Sequence, residues 1–281
     1  MDPSVFAAVL LAAALHAGWN ALLKSKLEPL KAITLVSIGA GVFSAPLLAV
    51  APMPDPAAWP YLIGSLVLHL GYYTALAEGY RTGDLGQVYP IARGTAPLMT
   101  AVGATAILGE NLGAAGWSGI GLLATGVVAI SLRGGRDARR FEVRAVGFAL
   151  LTAATIAAYT LVDGVGARST AEVLSYIAWL FVLDGVMMLI FGLIAWRGGL
   201  LTAIASAWHV AVIGGAMSAG AYAIALWAMT KAPIALVAAL RETSVLFAAL
   251  ISMAALREPV LPVRLFAAAL VLAGVVMLRL R

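Results

Sequence analysis

Cysteine does not occur in the 281 residues of this chain, which excludes disulfides, thiol nucleophiles and cysteine-ligated metals. Charge is scarce too. Asp, Glu, Lys and Arg make up 11% of the sequence, against about 25% in soluble domains. The chain holds no phosphate loop, no nucleophile elbow and no His-Glu-x-x-His run. An ATP-driven pump is therefore excluded, an enzyme is not expected, and no cofactor is called for. The three histidines, His16, His69 and His209, lack acidic neighbours at ligand spacing, so no metal site is expected.

Apolar residues dominate instead: the sequence is 63% hydrophobic, with a mean hydropathy of +1.00. Nearly every residue belongs to, or closely connects, an apolar stretch of about 20 residues, leaving no room for a separate soluble domain. The expected class is an all-α integral membrane protein whose surroundings are a lipid bilayer. Its first apolar run, Val5 to Leu23, follows acidic Asp2 with no basic segment before it, so it reads as a spanning helix rather than a cleaved signal peptide. The net charge of +5 comes from Lys and Arg in short loops. That pattern sets membrane topology and gives no reason to expect a nucleic acid partner.

Charge, Pro and Gly bound ten candidate spans at 3–24, 30–51, 57–80, 85–108, 112–132, 143–167, 171–196, 203–230, 233–256 and 261–280. Gly39, Gly41 and Pro46 interrupt the second of these. Each is long enough to cross about 30 Å of hydrocarbon.

The strip from Gly83 to Arg133 repeats, without a gap, in the strip from Lys231 to Arg281, at a constant offset of 148 with thirteen identities in 51 positions. Shared composition explains matched Leu, Val and Ala. It does not explain Arg93 with Arg241, or Glu110 with Glu258, falling in register inside apolar segments. Upstream, Tyr72, Ala75 and Leu76 match Tyr222, Ala225 and Leu226 at an offset of 150. The chain reads as a duplicated unit of five spans, and an odd number places the second copy upside down in the membrane. The expected architecture is ten transmembrane helices in two inverted five-helix repeats, residues 1–133 and 145–281, joined by a basic loop at 134–144 and enclosing a central cavity.

Loops after the odd-numbered spans hold twelve Lys and Arg, and the other face holds four. The positive-inside rule then places the odd loops in the cytoplasm and both termini outside. Glycines recur in the fifth span at 113, 116, 119, 121 and 126, with Gly274 in the tenth. Such residues allow close backbone approach, and packing of the fifth span against its own half is expected over a dimer surface. A monomer suffices for the architecture.

Charges inside a span need a partner, a wet cavity or a route to the interface. Arg93 and Arg241 lie about eight residues, roughly 12 Å, into the fourth and ninth spans from opposite faces, so both guanidiniums can meet near the midplane. Arg241 has Glu242 as an acidic neighbour, whereas the fourth span holds no acid before Glu110. Arg93 is accordingly the first candidate for an anionic substrate group, since guanidinium grips carboxylate through two parallel bonds. Trp19, Asn20, Tyr72, Tyr89, Tyr159, Tyr222 and Trp227 fall at comparable depth and are candidates for the pocket wall. Tyr73 shares that depth. His16, Asp163, Arg241 and Glu242 are candidates for coupling or structural charge, and Asp184 for ion coupling. Pro90, Pro97, Gly214 and Gly215 are candidate hinges. Glu110 and Glu258 close their spans at tight turns and read as structural.

Leu108-Gly109-Glu110 and Leu256-Arg257-Glu258 after an apolar helix, then Gly126-Val127-Val128 and Gly274-Val275-Val276 within the next, resemble the EamA-type branch of the drug/metabolite transporter superfamily. His16-Ala17-Gly18-Trp19-Asn20 and Tyr89-Pro90-Ile91-Ala92-Arg93-Gly94 resemble a bacterial subset of that branch. The resemblance covers nearly the whole chain. It implies a basket-shaped cavity lined by spans one, three, four, six, eight and nine, with five and ten peripheral. Bacterial members are often exporters of amino acids, including aromatic ones. Many relatives carry a basic loop between spans two and three, consistent with cytoplasmic termini; residues 51–59 hold no Lys or Arg here, so the local charge count is followed.

The expected function is a secondary transporter of the bacterial inner membrane that exports small metabolites, amino acids foremost, by alternating access. Two alternatives share the fold. A nucleotide-sugar or sugar-phosphate carrier would want more than two buried cations, and a multidrug cation exporter would want an embedded carboxylate such as Glu242 or Asp163.

Overall fold

A computed structural model describes residues 1–22, 27–83, 85–131, 142–256 and 262–280. Among these residues the regular structure is entirely helical. The bilayer interior offers backbone groups no water, and a helix satisfies its N–H and C=O groups within the segment. Helices α1 (Pro3–Leu22) and α2 (Pro29–Ser44) come first, and a 3-10 turn at Ala45–Ala49 extends α2. There follow α3 (Trp59–Thr82), α4 (Leu85–Leu108), α5 (Gly113–Ser131), α6 (Val143–Arg168) and α7 (Val173–Trp196). The remainder is α8 (Gly199–Ser206), a π-helical turn at Val210–Gly214, α9 (Gly215–Met229), α10 (Ile234–Arg241), α11 (Ser244–Leu256) and α12 (Pro262–Arg279). Seven segments among the described residues are long and apolar enough to cross a membrane, and shorter apolar helices lie at Gly113–Ala129 and Leu265–Arg279. Apart from 142–144, the basic loop expected at 134–144 lies outside the described residues, as does Glu258.

The second expected span is not interrupted at its glycines. Gly39 and Gly41 sit inside α2, and the chain tightens only at Ala45, before Pro46. Both glycines are packing sites: a Cβ at Gly39 would strike the Ala211 carbonyl, and one at Gly41 would meet the Gly185 Cα at 3.0 Å. The eighth and ninth expected spans, by contrast, are broken: 203–230 holds the end of α8, the π-helical turn and α9, and 233–256 holds α10 and α11. In the ninth the break falls at Glu242 and Thr243, where each backbone N–H donates to a carbonyl three residues back. There the Thr243 hydroxyl donates to the Leu240 carbonyl at 2.8 Å, a back-bond that bends helices. Its repeat equivalent, α4, runs unbroken from Leu85 to Leu108 although it contains Pro90 and Pro97.

Helices from the two halves of the sequence pack in pairs, α3 along α6, α2 along α7 and α1 along α9. The main core between them includes Val9, Leu62, Tyr176, Leu180, Leu226 and Met229. The glycine stripe of α5 is used differently from the expectation. A Cβ at Gly126 would meet the Ala267 carbonyl at 2.9 Å, and one at Gly274 the Gly119 carbonyl at 2.7 Å. The stripe therefore seats α5 on α12, across the two halves rather than within one. Chain ends meet as well, since Arg279 Nη1 donates to the Met1 carbonyl at 2.8 Å.

Candidate functional site

A cavity of about 100 Å³ opens among α1, α2, α3, α4, α6, α7, α9 and α10. At roughly 10–15 Å³ of such space per water, it holds several waters or one small solute. His16, Trp19, Tyr72, Tyr73, Arg93, Tyr159, Asp184, Tyr222 and Arg241 line it, so nine of the residues singled out from the sequence converge here. Four others, Asn20, Trp227, Asp163 and Glu242, stand apart from the lining. Asn20 donates to the His16 carbonyl at 2.8 Å, tying itself to its own helix. Trp227 packs against the main core. Asp163 is fully buried behind the wall. Tyr89 and Pro90 lie on α4, and their side chains fall outside the described residues.

Charge in the site is unevenly paired. Arg93 Nη2 and Glu242 Oε1 form an ion pair at 3.0 Å, both side chains largely buried. The acid expected beside Arg241 thus serves Arg93, because Glu242 occupies the break between α10 and α11 and α4 passes next to it. Arg241 instead rests over the Tyr222 ring, 4.9 Å from its centroid. No carboxylate of the described residues lies within 4.0 Å of Arg241. The buried atoms Arg241 Nε and Glu242 Oε2 have no hydrogen-bond partner among the described residues.

Aromatic rings form the rest of the wall. His69 stacks on Tyr159 at 4.3 Å between centroids, Tyr159 meets Tyr222 edge to face at 6.2 Å, and Tyr72 meets Tyr159 at 5.9 Å. On α1 the Trp19 indole donates to His16 Nδ1 at 3.3 Å.

Two carboxylates outside the arginine cluster are held by hydroxyls. Asp163 accepts from Tyr176 at 2.9 Å and from Tyr222 at 2.6 Å. Asp184 accepts from Tyr73 at 3.3 Å, and Tyr73 also shares a 3.0 Å hydrogen bond with Ser37. Asp184, Tyr73, Ser37 and His69 all line the cavity. Of these, His69 and Ser37 were missed in the sequence. His69 did leave a signal, for it lies three and four residues before Tyr72 and Tyr73 and so shares their face of α3. Ser37 left none.

Beyond the cavity, Glu110 joins the two halves. Gly109 and Gly113 adopt φ of +66° and +58°, left-handed conformations that suit glycine, and turn the chain after α4. Glu110 Oε1 accepts from Ile234 N at 2.7 Å and Oε2 from Ala235 N at 3.2 Å, capping α10. Arg168 reaches Glu110 at 3.3 Å and also donates to the carbonyls of Met229 and Ala232. At the hinge candidates, a Cβ on Gly215 would fall 2.5 Å from the Gly39 carbonyl carbon, and one on Gly214 would meet Val36 at 3.0 Å. Pro97 is buried one turn beyond Arg93.

No curated protein matches this chain. A solved crystal structure shares its fold, with a TM-score of 0.79 at 18% identity over 100% of this chain and 98% of the other. The model of the EamA-like transporter family matches twice, over residues 3–132 and 143–280. Those two matches leave only the segment around the basic loop and a few terminal residues uncovered, and the chain belongs to the EamA-like transporter family.

Proposed function

We propose that this chain exports small zwitterionic metabolites, amino acids including aromatic ones, across the bacterial inner membrane by alternating access between two inverted five-helix halves. One observation carries the reading: two guanidiniums, Arg93 and Arg241, and one carboxylate, Asp184, face the same cavity, and Glu242 pairs with Arg93 alone. Arg241, with no carboxylate of the described residues within 4.0 Å, favours a substrate carboxylate in the low dielectric of the site. The polar atoms of Arg241 and Glu242 that lack partners are costly while unsatisfied, and a bound carboxylate and its hydration would relieve them. Asp184 on another wall offers an acceptor for the substrate ammonium, and Trp19, Tyr72, Tyr159 and Tyr222 offer rings to its side chain, with Trp227 behind. A phosphate dianion would call for more positive charge, and a nucleotide sugar for more room.

The halves, residues 1–133 and 145–281 with the linker 134–144, would rock about Pro90, Pro97, Gly214 and Gly215. Glu110 and Arg168 hold the halves together at one end of the seam. Ten crossings, with each broken helix taken as one, would bring both chain ends to one side, and the contact of Arg279 with the Met1 carbonyl supports that reading. Lys and Arg bias puts those ends on the periplasmic side.

The test is transport of radiolabelled amino acids, sugar phosphates and organic cations into proteoliposomes. Amino acids should be carried. Arg93→Ala, compared at equal amounts of folded protein because it also breaks the buried pair with Glu242, should lower their rate at least about tenfold, as loss of a charge-assisted bond worth roughly 1.5–3 kcal/mol requires. A normal rate in that variant removes Arg93 from the carboxylate site.

A further inference from the structure

Asp163 stands out among the acids of this chain. It lies in the interior of α6, fully buried, and its close partners are two phenolic hydroxyls, Tyr176 from α7 and Tyr222 from α9. No Lys, Arg or His of the described residues forms an ion pair with it within 4.0 Å. Glu242 has a guanidinium at 3.0 Å, and Asp184, which also has hydroxyl partners, is 7% exposed and lines the cavity itself, whereas Asp163 is 0% exposed. An ionised carboxylate without a countercharge is costly inside a bilayer, and one that faces the bundle interior marks an ion path or a proton relay. Hydroxyl partners suit a group that exchanges a proton: they donate to the carboxylate, and after protonation a Tyr oxygen can accept from the acid.

A route to the cavity is also present. Ser65 and His69 on α3 are near neighbours of Asp163, and Ser65 is buried. The Ser65 hydroxyl lies 3.1 Å from His69 Nδ1, and His69 lines the cavity. Tyr222 makes the second connection. Its hydroxyl donates to Asp163 while its ring lies beneath Arg241, so one side chain touches both the acid and the cation that faces the cavity. Other titratable groups around the site are Tyr159, on the same helix, and Asp184 across the bundle on α7.

We propose that Asp163 is the binding site for a coupling proton, reached from the cavity through His69 and Ser65, and that Tyr222 links its protonation to occupancy at Arg241. The step is a simple association in which the carboxylate takes one proton and becomes a neutral acid; on release the proton returns to the cavity. This rests on the cavity being the substrate site, and the sodium ion is the competing occupant.

Two measurements on the full-length protein in lipid separate the possibilities. The first is a pH titration followed by infrared difference spectroscopy, which needs no substrate. Wild type should show the carbonyl stretch of a protonated buried carboxyl appearing as pH falls, and Asp163→Asn should lose it while Asp184→Asn retains it. The second uses L-phenylalanine as probe in proteoliposomes. Asp163→Asn should abolish accumulation driven by a pH gradient yet keep counterflow exchange within about twofold of wild type, a split that misfolding does not produce. An unchanged infrared band in Asp163→Asn overturns the proposal, and so does replacement of the bound proton when sodium chloride substitutes for choline chloride. Failure of wild type to carry L-phenylalanine, with the band present and lost in the variant, removes the amino-acid reading and leaves the proton site standing.

Discussion

Arg93 and Arg241 occupy equivalent positions in the two copies, yet their surroundings differ because the residue after each differs. Gly94 follows Arg93 and lets α5 approach, with Val128 and the Ala124 carbonyl against it; Glu242 follows Arg241 and supplies the only carboxylate that pairs with either guanidinium among the described residues. The sequence announces both arginines and the acid but not which two pair, since that choice depends on the helix break that swings Glu242 toward α4. Removing the acid isolates its contribution. Glu242→Gln keeps the shape but removes the carboxylate that pairs with Arg93, and breaking a buried pair in this way costs about 3–5 kcal/mol. A clear drop in the thermal midpoint of purified protein is expected, followed through the intrinsic fluorescence of its seven tryptophans. An unchanged midpoint would mean that Arg93 draws its compensation from elsewhere. Toxic-cation resistance lost in the same variant would favour the cation-exporter alternative.

At the scale of elements, helix positions were legible because Pro, Gly and charge bound apolar runs of membrane length. What those glycines do was not. Gly39 on α2 and Gly215 on α9 mark a crossing where backbone meets backbone, and neither can yield. Gly121 on α5 has nothing within 4 Å of an added Cβ. Substituting each with alanine should therefore separate packing from propensity. Gly215→Ala should destabilise by about 1–3 kcal/mol through overpacking, whereas Gly121→Ala should be neutral or stabilising by up to about 1 kcal/mol through helix propensity. Equal midpoints in a melting comparison would refute the close α2 and α9 crossing. The cluster of Ser37, Tyr73 and Asp184 escaped notice for a related reason. Its members stand on three helices that are neighbours only after folding, and no spacing along the chain encodes their adjacency.

For the whole molecule, duplication is the feature from which the rest follows. If each copy crosses the membrane five times, as proposed above, the second copy is inverted, and repeat equivalents at one surface in the first copy sit at the other in the second. On that reading the arginines approach the midplane from opposite sides and the cavity forms at the seam. The described contacts agree with a single surface for the turns after the even spans, since Asp55 accepts from Ala171 N at 2.7 Å and Glu110 is joined to Arg168 and the start of α10. Absence of native cysteine makes a direct test possible, because any introduced thiol is the only one. Asn111 and Pro259 are equivalents at the offset of 148. In intact cells, Asn111→Cys should react with a membrane-impermeant maleimide added outside, and Pro259→Cys should react only after the membrane is opened. Labelling of both from outside would contradict the inversion, and with it the meeting of Arg93 and Arg241 as symmetry mates. Labelling of 259 alone would keep the inversion and reverse the orientation, sending the termini to the cytoplasm.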